Sequence, residues 1–177
     1  MSVEKRIYID IVSKSKKWLA VKNIEKFISK TCQELILLSE IKTFLQKKSN
    51  CLELSVSLVS NAQIKKINRE FREKNKATDV LSFPFLDEKL IRKNGFKNTV
   101  KPMQQIFLGD IILAFEVINK EALAAKKDFH QHLTHLLLHS LLHLIGYDHK
   151  KKKDAEIMEK IEIKILKKLG IKNPYLT

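Results

Sequence analysis

All six histidines of the 177-residue chain fall between residues 130 and 149. Four of them, His132, His135, His139 and His143, follow one another at intervals of three or four residues, which puts them on one stripe of a helix. This concentration constrains the fold more than any other feature, because imidazoles that share a metal ion must converge. Three nitrogens bound to one zinc at ~2.1 Å lie roughly 3.5 Å from one another. Side chains at i and i+4 meet that condition, with Cβ atoms ~6 Å apart; positions i and i+8 are ~12 Å apart along the axis and do not. His135, His139 and His143 therefore cannot all hold one ion, and an i, i+4 pair needs a ligand from outside the helix. Gly146, followed by Tyr147, Asp148 and His149, offers one, since glycine takes the left-handed conformation that folds a chain back beside a helix end.

The expected ligands are His139, His143 and His149, spaced H-x3-H-x5-H. They leave the fourth tetrahedral position to water, as in catalytic rather than structural zinc sites. His135 is expected beside the ligands or on the substrate side, and His130 and His132 in solvent. Asp148 is expected either to orient an imidazole through its free N–H or to stabilise the turn. The metal-binding helix is like that of zinc peptidases, but the H-E-x-x-H pattern places a glutamate base after the first histidine. Here that position is Ser140, whose hydroxyl is far too weak a base, so peptide hydrolysis by that route is disfavoured.

Hydrophobic periodicity frames this segment. Residues 5–12 read as a first strand (Ile7, Ile9, Ile11), and residues 15–47 as one long helix or two with an unplaced break. Leu52, Leu54, Val56 and Leu58 mark a second strand; Ser60 and Asn61 then cap a helix with Ile64, Ile67 and Phe71 on its inner face. A third strand runs from Asp79 to Phe83 and is stopped by Pro84; a polar, Lys-rich connection covers 87–103; a fourth strand covers 106–113. Helices are expected over about 115–127, 129–145 and 154–169, the last ending at Gly170. The pattern predicts an α+β fold, a small mixed four-stranded sheet packed with about five helices, in a single domain over residues 1–177.

Lys plus Arg number 34 against 20 Asp plus Glu, a net charge of +14, which points to a polyanion such as nucleic acid. Four of these cations are arginines (Arg6, Arg69, Arg72, Arg92), whose planar fork suits phosphate. Cys32 and Cys51 lack metal spacing and are expected as free thiols in a reducing cytoplasm. No apolar run approaches the ~20 residues of a membrane helix, and the first ten residues do not read as a secretory signal.

Against this background the segment HSLLHLIGYDH, residues 139–149, resembles the H-G-x-L-H-L-x-G-Y-D-H signature of the YbeY family, bacterial rRNA maturation factors and single-strand-specific endoribonucleases. Asn68–Arg72 (NREFR), Thr78–Pro84 (TDVLSFP), Leu108–Ile111 (LGDI), the segment from Asp154 to Met158 with Glu162, and Asn173-Pro174-Tyr175 match further family landmarks in order. The likeness covers roughly residues 50–176, with Ser140 in place of the usual Gly, Ile67 in place of Leu and Ala77 in place of Pro. It implies one Zn2+ per chain on His139, His143 and His149, a functional arginine at Arg72, and a catalytic role for His139 as a ligand. It also implies single-stranded RNA and rRNA precursors as substrate, maturation of the 16S rRNA 3′ end, ribosome quality control, and contact with the small ribosomal subunit and its assembly factors.

Zinc lowers the pKa of a bound water toward ~7 or polarises a phosphoryl oxygen, and a guanidinium stabilises the charge that phosphodiester cleavage builds. Arg72 is expected in that role, with Lys74 and Lys76 as positioning charges. Asp79 and Asp110 are both candidates for a base or orienting carboxylate, and both read equally as strand-end caps. The lysine runs 150–153 and 89–101 flank the expected cleft; Phe83, Phe85 and Tyr147 are candidates for stacking on bases. Two other classes compete: a zinc-dependent peptidase or amidase, and a ribosome assembly factor whose zinc is mainly structural.

Overall fold

The computed structural model of the chain describes residues 6–39, 42, 51–86 and 105–176. Its elements in order are β1 (Arg6–Ser13), a 3-10 turn (Lys16–Ala20), α1 (Ile24–Leu38), β2 (Cys51–Val59), α2 (Asn61–Arg72), β3 (Val80–Pro84), β4 (Gln105–Ala114), α3 (Phe115–Ala124), α4 (Phe129–Leu144) and α5 (Lys152–Lys168). The sheet runs β1-β2-β4-β3. β1, β2 and β4 are parallel and β3 is antiparallel to β4, so this is the mixed four-stranded α+β fold that the periodicity predicts. Parallel neighbours need long crossovers, and the segments carrying α1 and α2 provide them.

The break in the first helical stretch falls at residues 21–23. Asn23 turns there at φ 56°, a left-handed conformation that asparagine tolerates better than most residues. Upstream, Trp18 is fully buried and its Nε1–H donates to the Val59 carbonyl at 3.0 Å, pinning the turn to the end of β2. The part of that stretch beyond residue 39, apart from Lys42, lies outside the described residues, as do the lysines at 89–101. Ser60 opens α2 with a capping box: Gln63 N–H donates to Ser60 Oγ and Ser60 N–H to Gln63 Oε1 at 2.8 Å.

Strand alternation divides the core. Leu52, Leu54, Val56, Leu58, Leu108 and Leu113 join α1, α4 and α5 in the main cluster, whereas Val59 and Ala114 pack with Ile64 and Leu81 against α2. Among the described residues β3 pairs only with β4, so as an edge strand it accommodates Pro84, which ends it opposite Gly109. Gly109 sits at φ 137°, and a Cβ there would lie 2.2 Å from the Phe83 carbonyl oxygen; only glycine lets the strands approach so closely. The β2–β4 register shifts in the same region, between Glu53 and Ser55.

Neither Cys32 nor Cys51 is in a disulfide among the described residues. Burial pushes the Cys32 thiol up to about 12, which makes it an inert packing residue. Among the described residues no helix is long and apolar enough to cross a membrane.

Ser140, on α4, is fully buried, and among the described residues its hydroxyl meets no partner. An unpaired buried hydroxyl costs about 1–3 kcal/mol. Ser140→Ala is therefore expected to stabilise the protein by about 1 kcal/mol or more in urea or thermal unfolding, and a loss of stability of that size would contradict the packing described.

Candidate metal centre

Nine of the 16 residues of α4 are core. Leu133, Leu136, Leu137, Leu138, Leu141, Leu142 and Leu144 are buried, and the stripe with His135, His139 and His143 is its partly exposed side. Asp128 caps the helix by accepting from Gln131 N–H at 3.0 Å. At the other end Gly146, at φ 94°, reverses the chain. Gly146 N–H donates to the His143 carbonyl and Tyr147 N–H to the Leu142 carbonyl, each at 3.0 Å, the paired bonds of a Schellman motif.

The reversal delivers two groups to the helix end. The Tyr147 carbonyl lies 2.9 Å from His143 Nδ1, and the ring of His149 comes beside the other two. Ring centroids are 4.6 Å apart for His139–His143, 5.2 Å for His139–His149 and 5.0 Å for His143–His149. One ligand atom from each of the three lies within 4.8 Å of the others. The structure thus brings together the three histidines chosen from spacing, as a group able to hold a metal ion.

Hydrogen-bond chemistry shows why a cation fits. A carbonyl only accepts, so His143 carries its proton on Nδ1. His139 Nδ1 lies 2.8 Å from a Glu162 carboxylate oxygen and is a donor for the same reason. In the neutral tautomers that these two bonds select, both Nε2 atoms are lone-pair acceptors, and they face each other at 3.0 Å. Two acceptors aimed at each other repel, and a cation between them relieves that repulsion. Slight opening toward ~3.4 Å gives the span of two zinc ligands. Burial, together with neighbouring His139, lowers the pKa of His143 to about 4 despite the Tyr147 carbonyl, so its imidazole is neutral and ready to ligate at neutral pH.

Glu162 and Tyr175 stand outside the set chosen from spacing. Glu162 is fully buried on α5. Its carboxylate accepts from His139 Nδ1–H, from His135 Nε2–H at 3.1 Å and from the Tyr175 hydroxyl. Burial alone would raise its pKa, but these three donors outweigh it and hold the group down at about 2. The sequence did hold a signal: Met158, Ile165 and Leu166 are the buried apolar stripe of α5, and Glu162 falls within it. Asp148 Oδ1 accepts from His149 N–H at 2.9 Å and its Oδ2 lies 3.6 Å from Lys150 Nζ, bonds that stabilise the turn, while Glu162 and the Tyr147 carbonyl meet Nδ1 of His139 and His143. His132 pairs with Glu121 at 3.1 Å and His130 packs edge-on against Phe27, so neither is simply solvated.

The three histidines line a cleft of ≈ 710 Å³ whose wall includes Arg72, Lys74, Lys76, Asp79, Tyr147, Lys150 and Tyr175. Arg72 is the last residue of α2; its Nη2 donates to the Ser82 carbonyl at 3.0 Å and its guanidinium lies 5.7 Å from the centre of the Phe83 ring. Asn68, buried one turn earlier, donates from Nδ2 to the Lys76 carbonyl at 2.8 Å and so fixes the loop bearing Lys74 and Lys76. Asp79 Oδ1 accepts from Thr78 Oγ–H and Val80 N–H, both at 2.8 Å, which is the strand-cap role. Asp110 lines a different depression, with Tyr8, Asp10 and Glu53. Phe83 packs on Phe71 and Phe85 on Phe107, leaving Tyr147 as the expected stacking residue that lines the cleft.

The α+β fold thus sets three convergent imidazoles, a group able to hold a metal ion, beside a cleft lined by Arg72, Lys74, Lys76 and Lys150. Comparison with known proteins narrows the class. The family model described as Endoribonuclease YbeY matches residues 10–170. Endoribonuclease YbeY of Francisella tularensis subsp. novicida (strain U112) is 42% identical over 124 residues, 70% of this chain and 72% of that protein. The counterpart from subsp. tularensis (strain FSC 198) is 42% identical over 70% of this chain and 69% of its own length. A solution structure of a Thermotoga maritima protein shares the fold at TM-score 0.53 and 22% identity, covering 96% of this chain and 99% of that one. The chain belongs to the YbeY endoribonuclease family.

The titrations have a defined sign. His143 is at about 4 when folded against ~6.5 unfolded, so between those values the unfolded chain binds more protons and stability falls as pH falls. Glu162, lowered from 4.5 to about 2, contributes stability that is whole above 4.5 and lost as pH falls toward 2. Metal-free protein is therefore expected to lose stability in two windows, from about 6.5 to 4 and from about 4.5 to 2, with the upper window absent in His143→Ala. Denaturant unfolding across pH checks this; an unchanged upper window in His143→Ala would contradict it.

Proposed function

We propose that residues 1–177 form a single zinc-dependent, single-strand-specific endoribonuclease domain acting on rRNA precursors, in maturation of the 16S rRNA 3′ end and in ribosome quality control. The observation that carries this reading is the pair of lone-pair nitrogens on His139 and His143, facing each other in a cleft whose rim is cationic. Family membership supports RNA as the substrate. The unbridged thiols of Cys32 and Cys51 support work in the reducing cytoplasm, and the net charge of +14 supports contact with the small ribosomal subunit and its assembly factors.

His139, His143 and His149 would hold the zinc. When bound, Zn2+ supplies Lewis acidity, polarising a phosphoryl oxygen or acidifying a water. The remaining work falls to the chain's own groups. Arg72, held by the Ser82 carbonyl and the Phe83 ring, offers a preorganised guanidinium for charge developing on the nonbridging phosphate oxygens. Lys74, Lys76 and Lys150 line the same cleft and bind the backbone phosphates on either side, which makes affinity fall with salt. Tyr147 offers a ring for an unpaired base. The peptidase alternative finds no support, because Ser140 is buried in the core and supplies no base to the cleft.

Metal analysis and cleavage of a single-stranded RNA by wild type, Arg72→Ala and His143→Ala test the reading together. Arg72→Ala is expected to keep its zinc and lose about 10²–10³-fold in kcat, and His143→Ala to lose both zinc and cutting. Full RNA processing by Arg72→Ala would favour an assembly factor with structural zinc, and cleavage by metal-free His143→Ala would remove the mechanism.

A further inference from the structure

We propose that Glu162 and Tyr175 form a positioning pair for the metal centre, making the segment after α5 a working part of the site although none of its residues reaches the ligand nitrogens. The inference rests on the reading that His139, His143 and His149 hold the metal.

A carboxylate buried on an apolar helix stripe is strongly unfavourable unless it is fully paired. Glu162 is 0% exposed, between Met158 and the Ile165–Leu166 pair, where an aliphatic residue would fill the space without penalty. What the carboxylate achieves there is directional. One oxygen takes His139 Nδ1–H at 2.8 Å, which fixes the tautomer, leaves Nε2 as the free lone pair and holds the ring plane toward His143. Such a carboxylate–imidazole bond also raises the basicity of a ligand.

The second oxygen would have a single histidine donor without the segment that follows α5. Tyr175 donates its hydroxyl to that oxygen, beside His135 Nε2 at 3.1 Å. Its ring stands edge-on to His135, with centroids 5.6 Å apart at 85°. Two further bonds hold the segment in place: Lys127 Nζ donates to the Pro174 carbonyl and Tyr175 N–H to Asn173 Oδ1, both at 2.9 Å. With one oxygen bonded to His139 and the other to His135 and Tyr175, the carboxylate is held against rotation away from His139.

The test uses full-length purified protein and its Glu162→Gln, Tyr175→Phe and His143→Ala variants, with a truncation ending at Lys172. Zn2+ affinity is measured by chelator competition, and the Co2+-substituted forms give a visible spectrum that reports ligand geometry. Glu162→Gln is expected to weaken Zn2+ binding about 10–100-fold and to alter the Co2+ spectrum. Tyr175→Phe and the truncation are expected to weaken binding about 3–10-fold without unfolding the metal-free protein. Should Glu162→Gln fail to fold, the two tail variants decide, since Tyr175 is 41% exposed and its hydroxyl is not needed for the core. Wild-type affinity and spectrum in the tail variants, with metal lost in His143→Ala, would overturn this proposal alone. Wild-type Co2+ binding by His143→Ala would instead remove the three-histidine reading beneath it.

Discussion

The site depends on one electrostatic constraint: the outer nitrogens of His139 and His143 are both committed as donors, so their inner nitrogens confront each other as acceptors at 3.0 Å. Nothing in α4 alone would impose this. It takes a carbonyl delivered by the turn at Gly146 and a carboxylate delivered by α5, each removing the freedom of one ring. Most of the fold can be understood as what holds those two acceptors in place. The leucine faces of α4 lock the helix into the core, the Schellman bonds set where the Tyr147 carbonyl sits, and α5 crosses near enough to present Glu162.

Much of this was legible in the sequence, for identifiable reasons. Strands with strict alternation, such as Leu52 to Leu58, gave their own positions away because burial on one face leaves a period of two. The convergence of His139, His143 and His149 was legible because helical rise excludes His135, His139 and His143 as a single set and leaves the fold-back as the source of the third ring. Less legible was anything carried by distant pairing. Glu162 lies 23 residues beyond His139, and no local pattern ties them; its place on the buried stripe of α5 and its match to a family landmark mark it, but neither names His139 as its partner. The roles of Asp79 and Asp110 were open for the same reason: local chemistry makes each a plausible cap, and only the fold shows that Asp79 borders the histidine cleft and Asp110 a separate depression. The helix break was unplaced because an asparagine at φ 56° leaves no mark on hydrophobic spacing.

The cationic side of the cleft is assembled differently from the metal side. Arg72 and Lys74 follow from how α2 ends, with Glu73 at φ 57° and Asn68 tying the outgoing loop. The histidines come from α4 and the turn beyond it. The two halves meet across β3, the edge strand, whose Ser82 carbonyl holds Arg72 and whose contact with β4 requires glycine at position 109. Anchoring the guanidinium on a backbone carbonyl makes its place a property of the sheet rather than of neighbouring side chains, which are freer to vary.

The reversal at Gly146 governs how such a chain can change in length. A helix turns about 100° with each residue, so one residue gained or lost between His143 and the bend would carry the incoming ring around the axis, away from its two partners. Insertions elsewhere can be absorbed by a surface loop, but this interval behaves as a ruler cut to one length. His149, though it follows the helix, is in mechanical terms an extension of it.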